Sequence, residues 1–118
     1  MLFIKEKQVG FEAVKAEYEA LAKANENSWR ILFSIANVFS YNEYFKEAIP
    51  MWQKTFDCMP KPRYTDSFEA MAQCCVRMGD HESAVEYYKK ELELLREDWG
   101  LKYGAEVDAL EEKIRALQ

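Results

Sequence analysis

The residues of this 118-residue chain most suited to chemistry are three cysteines and one histidine. Two of the cysteines and the histidine crowd into Gln73-Cys74-Cys75-Val76-Arg77-Met78-Gly79-Asp80-His81. Such a set would bind zinc or carry redox chemistry if its spacing let the side chains converge. It does not. Adjacent helical residues point about 100° apart, so Cys74 and Cys75 cannot jointly grip one metal, and no Cys-x-x-Cys or His-x-x-x-His pair occurs. A cysteine nucleophile needs a base, and Cys58, Cys74 and Cys75 have only His81 to draw on. Glu91, Glu93, Glu111 and Glu112 read as solvated faces of amphipathic helices rather than as acid–base pairs. There is no glycine-rich phosphate loop. The expectation is no enzyme, no metal and no cofactor, and a framework that holds a partner.

Composition narrows the framework. Hydrophobic residues make up 49% and charged residues 31%, which suits a globular domain rather than a disordered tail. Four glycines and three prolines leave little turn material, so long helices are favoured over many short strands. The net charge is -5, with 7 Lys/Arg and 8 Asp/Glu in residues 1–60 against 9 and 13 in residues 61–118. Lysine and arginine form no cluster, so nucleic acid is not the expected partner. Met1-Leu2-Phe3-Ile4 runs straight into Lys5-Glu6-Lys7. That is too short for a signal-peptide core or a membrane span. Three cysteines cannot all pair internally, and a cytoplasmic location with no membrane partner is expected.

The chain repeats itself by class at an offset of 36 residues. Leu32, Ile35, Ala36 and Phe39 fall on Phe68, Met71, Ala72 and Cys75. Ala48, Trp52, Phe56 and Met59 fall on Ala84, Tyr88, Leu92 and Leu95. Only three pairs are identical between residues 28–60 and 64–96, so what recurs is a packing template. Each copy reads as two helices, with the i, i+3, i+4, i+7 spacing of one buried face. Asn42-Glu43 breaks the first copy. Gly79-Asp80 breaks the second, glycine as a helix stop and Asp80 as an N-cap. By the same alignment, Cys75 and His81 take the packing positions of Phe39 and Phe45. Pro60-Lys61-Pro62 joins the copies, and Pro50 inside the second helix either bends it or delays its start. Flanking stripes complete the pattern: Phe11, Val14, Tyr18 and Leu21 within Gly10–Ala24, and Tyr103, Val107, Leu110, Ile114 and Leu117. The sum is an all-α chain of about six helices. The pattern leaves open whether the helix from Glu82 runs on through Gly100.

These spacings resemble the tetratricopeptide repeat. Leu32, Ile35, Ala36, Phe39, Ala48, Trp52 and Pro60 fill its pattern once, and Phe68, Met71, Ala72, Cys75, Ala84 and Tyr88 fill it again. The departures are Leu32 and Phe68 at the tryptophan position, Cys75 for an aromatic, and Arg96 for the closing proline, which predicts a longer last helix. The resemblance implies antiparallel helical hairpins stacked as a short right-handed α-solenoid. It would be a single domain over 1–118, with an N-terminal helix 10–24, repeats 29–60 and 65–98, and a capping helix 101–117.

In that family the first helix of each pair lines a concave face that holds a peptide. By resemblance the partner-binding positions here are Arg30, Phe33, Asn37 and Tyr41, then Asp66, Glu69, Gln73 and Arg77. Helical geometry agrees, since Phe33 and Asn37 stand about 200° round the helix from core positions. Phe33 is either a peptide anchor or a residue covered by the 10–24 helix. Some relatives clamp the carboxylates of chaperone tails with Lys and Asn. Phe33 stands at the lysine place and Glu69 would repel a carboxylate, so a ligand of mixed or partly basic charge fits better. The expected function is a protein-interaction module without chemistry. The alternatives are a small chaperone or adaptor for a client protein, or a homo-oligomer formed through the 101–117 helix.

Overall fold

The computed structural model describes residues 9–118, so the Met1–Ile4 run lies outside the described residues. Every regular element among the described residues is a helix: α1 (Val9–Glu12), α2 (Lys15–Ala24), α3 (Trp29–Tyr41), α4 (Phe45–Cys58), α5 (Asp66–Arg77), α6 (His81–Trp99) and α7 (Ala105–Leu117). None is long and apolar enough to cross a membrane. Among the described residues there are seven helices rather than about six, because the N-terminal stretch breaks at Ala13-Val14. Val14 takes φ -117°, ψ 1°, and its N–H bonds back to the Phe11 carbonyl at 2.9 Å. The chain forms two compact units, one ending at Cys58 and one beginning at Met59.

The first unit is built on α3 lying along α4, with α2 against α3. Ser28 caps α3 by accepting the Ile31 N–H at 3.4 Å. Leu32, Ile35, Ala36 and Phe39 are buried on one face of α3, opposite Ala48 and Trp52 of α4. The break before α2 drives Phe11 fully into this core, its ring edge-on to Phe39 at 5.0 Å and 5.2 Å from Tyr44. Burying such a ring is worth about 2–3 kcal/mol. It also turns the N-terminal stripe, so that Ala22 is buried and Leu21 is exposed, contrary to its expected place. Pro50 lies inside α4 without delaying its start at Phe45.

The second unit pairs α5 with α6 and lays α7 on α6. Met71, Ala72, Cys74, Cys75, Ala84, Val85, Tyr88, Leu94 and Leu95 are buried. Val107, Leu110 and Ile114 bury the apolar face of α7 within the same unit. Tyr103 does not belong to that stripe: α7 starts two residues later and Tyr103 is 82% exposed. His81 is exposed rather than packed, although Phe45, its counterpart as first residue of the second helix of the other hairpin, is half-buried. The helix from Glu82 does not run through Gly100. That residue takes φ +66°, and the Leu101 N–H turns back to the Leu95 carbonyl at 3.0 Å. With Arg96 in place of a proline, α6 reaches 19 residues against 14 for α4.

Both hairpins turn in the same way at the 36-residue offset. In the second, Gly79 at φ +80° sends its N–H to the Val76 carbonyl at 3.0 Å, and Asp80 sends its own to Cys75 at 2.8 Å. In the first, Glu43 at φ +69° bonds Ser40 at 2.9 Å, and Tyr44 bonds Phe39 at 2.8 Å. This is the Schellman closure, and it requires a left-handed residue just past the helix. Glycine adopts that conformation freely, whereas glutamate pays about 1 kcal/mol for it. Glu43→Gly therefore raises the melting temperature by a few degrees in calorimetry, and Gly79→Ala lowers it comparably. A Glu43→Gly variant that melts lower would contradict this account of the turn.

Candidate functional site

The first helix of each hairpin carries one row of residues outside its core. On α3, Arg30, Asn37 and Tyr41 are exposed and Phe33 is half-buried. The row stands apart from the buried Leu32, Ile35, Ala36 and Phe39 because residues at i, i+3, i+7 and i+11 share a helix face. The Arg30 guanidinium lies 4.9 Å over the Trp29 ring. The α2 helix flanks a different side of α3, where Tyr18, Leu21, Ile31, Ser34 and Val38 line a shallow apolar groove. Of the expected row, only Arg30 borders this groove.

On α5, Asp66, Gln73 and Arg77 are exposed and Glu69 is half-buried. Glu69 is not a bare negative charge. Lys113 of α7 reaches its Oε2 at 3.2 Å, and the same ammonium lies 5.6 Å from the Tyr88 ring centroid. One side of the α5 row is thus tied to the C-terminal helix.

Neither Cys58 nor Cys75 is activated as a nucleophile. None of the three cysteines is in a disulfide; Cys74 and Cys75 are buried and Cys58 is half-buried. Burial pushes the Cys75 thiol up to about 11, with the Asp80 charge adding to the effect. Cys58 is also raised, first by burial. Both therefore stay protonated near neutrality, where a thiol is a weak nucleophile. No group of three or more His, Cys, Asp or Glu converges as metal ligands among the described residues.

Two features of the second unit escaped the sequence reading. The first is Glu91, which was expected on a solvated face and is 6% exposed. It stands three residues after Tyr88 and four before Leu95, on the buried row of α6, and aligns with the buried Thr55 of the first copy. That spacing was the available signal. Its Oε1 is buried without a hydrogen-bond partner. Burial, then the Glu69 charge, pushes its carboxyl up to about 7, against the pull of Lys113 and a Thr65 hydrogen bond.

The second is a cavity of about 320 Å³ walled by Tyr64, Leu95, Trp99 and Leu101, with Thr65, Asp66 and Glu106 at its polar side. The Trp99 indole N–H donates to the Arg63 carbonyl at 2.6 Å. Arg63 is fixed in turn by Asp98, whose Oδ2 accepts the Arg63 backbone N–H at 2.8 Å and Nε–H at 2.7 Å, while Oδ1 accepts Nη2–H at 3.0 Å. The Asp98 side chain is only 2% exposed, and Arg63 holds its carboxyl down to about 2. Nothing in the sequence marks Arg63 and Asp98 as partners 35 residues apart.

No protein-family model matches this chain, and no curated protein matches it.

Glu91 sets a pH dependence with a definite sign. Its folded value of about 7 lies above the ordinary 4.5, so its contribution is full below pH 4.5 and is lost as pH rises through 7. Allowing for water screening, the loss is on the order of 2 kcal/mol. Asp98 acts in the opposite direction, its contribution being lost as pH falls from 3.8 toward 2. Glu91→Gln therefore melts several degrees higher than the parent at about pH 8 and level with it at about pH 4.5. Thermal melts across that range check this, and a variant less stable at the alkaline end would contradict it.

Proposed function

We propose that the chain is a tetratricopeptide-like interaction module that docks a partner peptide on the exposed rows of α3 and α5, without chemistry. The observation that carries this reading is the pair of rows itself. Each hairpin buries most of its template residues, with Phe56, Phe68 and Leu92 half-buried, and leaves outside them a run of long, adaptable side chains at helical spacing. The common turn at a 36-residue offset supports reading the hairpins as two copies of one unit. In that reading Phe33 and Tyr41 supply apolar anchors, since aromatics carry much of the energy of a peptide interface. Asn37 and Gln73 supply amide hydrogen bonds to a peptide backbone. Asp66 and Arg77 supply charges of both signs, while Glu69 is partly neutralised by Lys113. A ligand of mixed or partly basic charge suits this arrangement.

A peptide array probed with the purified protein tests the proposal. Mixed and basic peptides hold it better than acidic ones, and the Phe33→Ala/Glu69→Ala double variant loses about tenfold or more in affinity for the best of them. Acidic peptides binding best, or undiminished binding by the double variant, would sink it.

A further inference from the structure

The cavity beside Trp99 combines features that an ordinary surface dent lacks. Its apolar wall is built from two large aromatic side chains, Tyr64 and Trp99, each nearly half exposed, with ring centroids 6.3 Å apart. Exposing such rings to water is costly, yet the indole is locked in place by its bond to Arg63 and by the Arg63–Asp98 clamp behind it. A wall fixed in advance loses little entropy when something settles on it. The polar side of the cavity is acidic, with Asp66 and Glu106. Behind it lies Glu91, one helical turn from the lining residue Leu95 on the same face of α6 and hydrogen-bonded by the lining residue Thr65. Its buried Oε1 has no partner. An aromatic wall in one cavity with exposed carboxylates, one helical turn from a desolvated carboxyl, is the chemistry that receives an organic cation with an apolar stem.

We propose that this cavity receives the protonated side chain of a lysine or arginine presented by the partner peptide. The methylene stem lies along Tyr64 and Trp99, and the charged head meets Asp66 and Glu106. The inference rests on the peptide-binding reading and gives it a specificity: a partner segment with a basic residue at a fixed place. Leu95 and Leu101 set the apolar floor, so a bare inorganic cation would gain little there.

The test follows the Trp99 indole N–H resonance, assigned through a Trp99→Phe variant, during titration with acetyl-Gly-Lys-Gly-amide and its arginine counterpart. Both should shift it saturably with a dissociation constant of about 1 mM or tighter. The norleucine peptide, equal in stem but uncharged, should bind at least fivefold more weakly, and the glutamate peptide should not bind. Glu106→Gln should weaken the lysine peptide severalfold while its melting temperature stays unchanged. Equal binding of norleucine and lysine peptides, or no saturable shift, would overturn the assignment. The two readings fail separately. Array peptides that bind through the α3 and α5 rows without moving Trp99 overturn the cavity alone. Lysine-peptide binding at Trp99 with no array peptide held at the rows would overturn the docking module.

Discussion

The close approach of paired helices is the constraint on which the rest of each unit depends. Ala36 and Ala48 in the first hairpin, and Ala72 and Ala84 in the second, are all fully buried. A methyl group at these places lets two helix backbones come near enough for the surrounding large residues to interlock. The Schellman closure then fixes where each hairpin reverses, and so which residues oppose one another. Once those two conditions hold, the faces of α3 and α5 are determined. The template residues turn inward, and Arg30, Asn37 and Tyr41, or Asp66, Gln73 and Arg77, are left outside.

Electrostatics is layered onto this frame unevenly. The first unit carries ion pairs near its surface, Lys15–Glu47 at 3.1 Å and Lys54–Glu26 at 2.9 Å, of the kind that contributes little. The second unit buries its charges more deeply. Asp98 is covered but fully served by Arg63, whereas Glu91 is covered and leaves one oxygen unserved. A satisfied carboxylate organises its loop, and an unsatisfied one stores a preference for a proton or a nearby cation. The proposed basic-side-chain cavity is lined from α6 by Leu95, one turn after Glu91, and by Trp99, next to Asp98.

Much of the fold was legible in residue spacing. The paired helices, the Asp80 cap, which accepts the Ser83 N–H, and the longer α6 all follow from local rules that one sequence displays. The turn at Glu43 was visible only as a break in pattern, because glutamate does not advertise a left-handed conformation as Gly79 does. The N-terminal stripe misled at Leu21 because a regular period assumes an unbroken helix, and this one breaks at Ala13-Val14, where Phe11 enters the core. Glu91 was missed because its charge suggested solvent more strongly than its place beside Tyr88 and Leu95 suggested burial. The Trp99 cavity was missed for a different reason. It depends on Arg63 and Asp98 meeting across 35 residues, and such pairings are set by tertiary packing rather than by any local pattern.

The proposed docking rows are tested most directly by amide chemical-shift mapping with the tightest-binding array peptide. The account predicts shifts concentrated on α3 around Arg30, Phe33, Asn37 and Tyr41 and on α5 around Asp66, Glu69, Gln73 and Arg77. The solvent faces of α4 and α6, at Gln53, Lys89 and Glu93, should stay still. Shifts confined to those faces, or to the groove of Tyr18, Leu21, Ile31 and Val38, would contradict it.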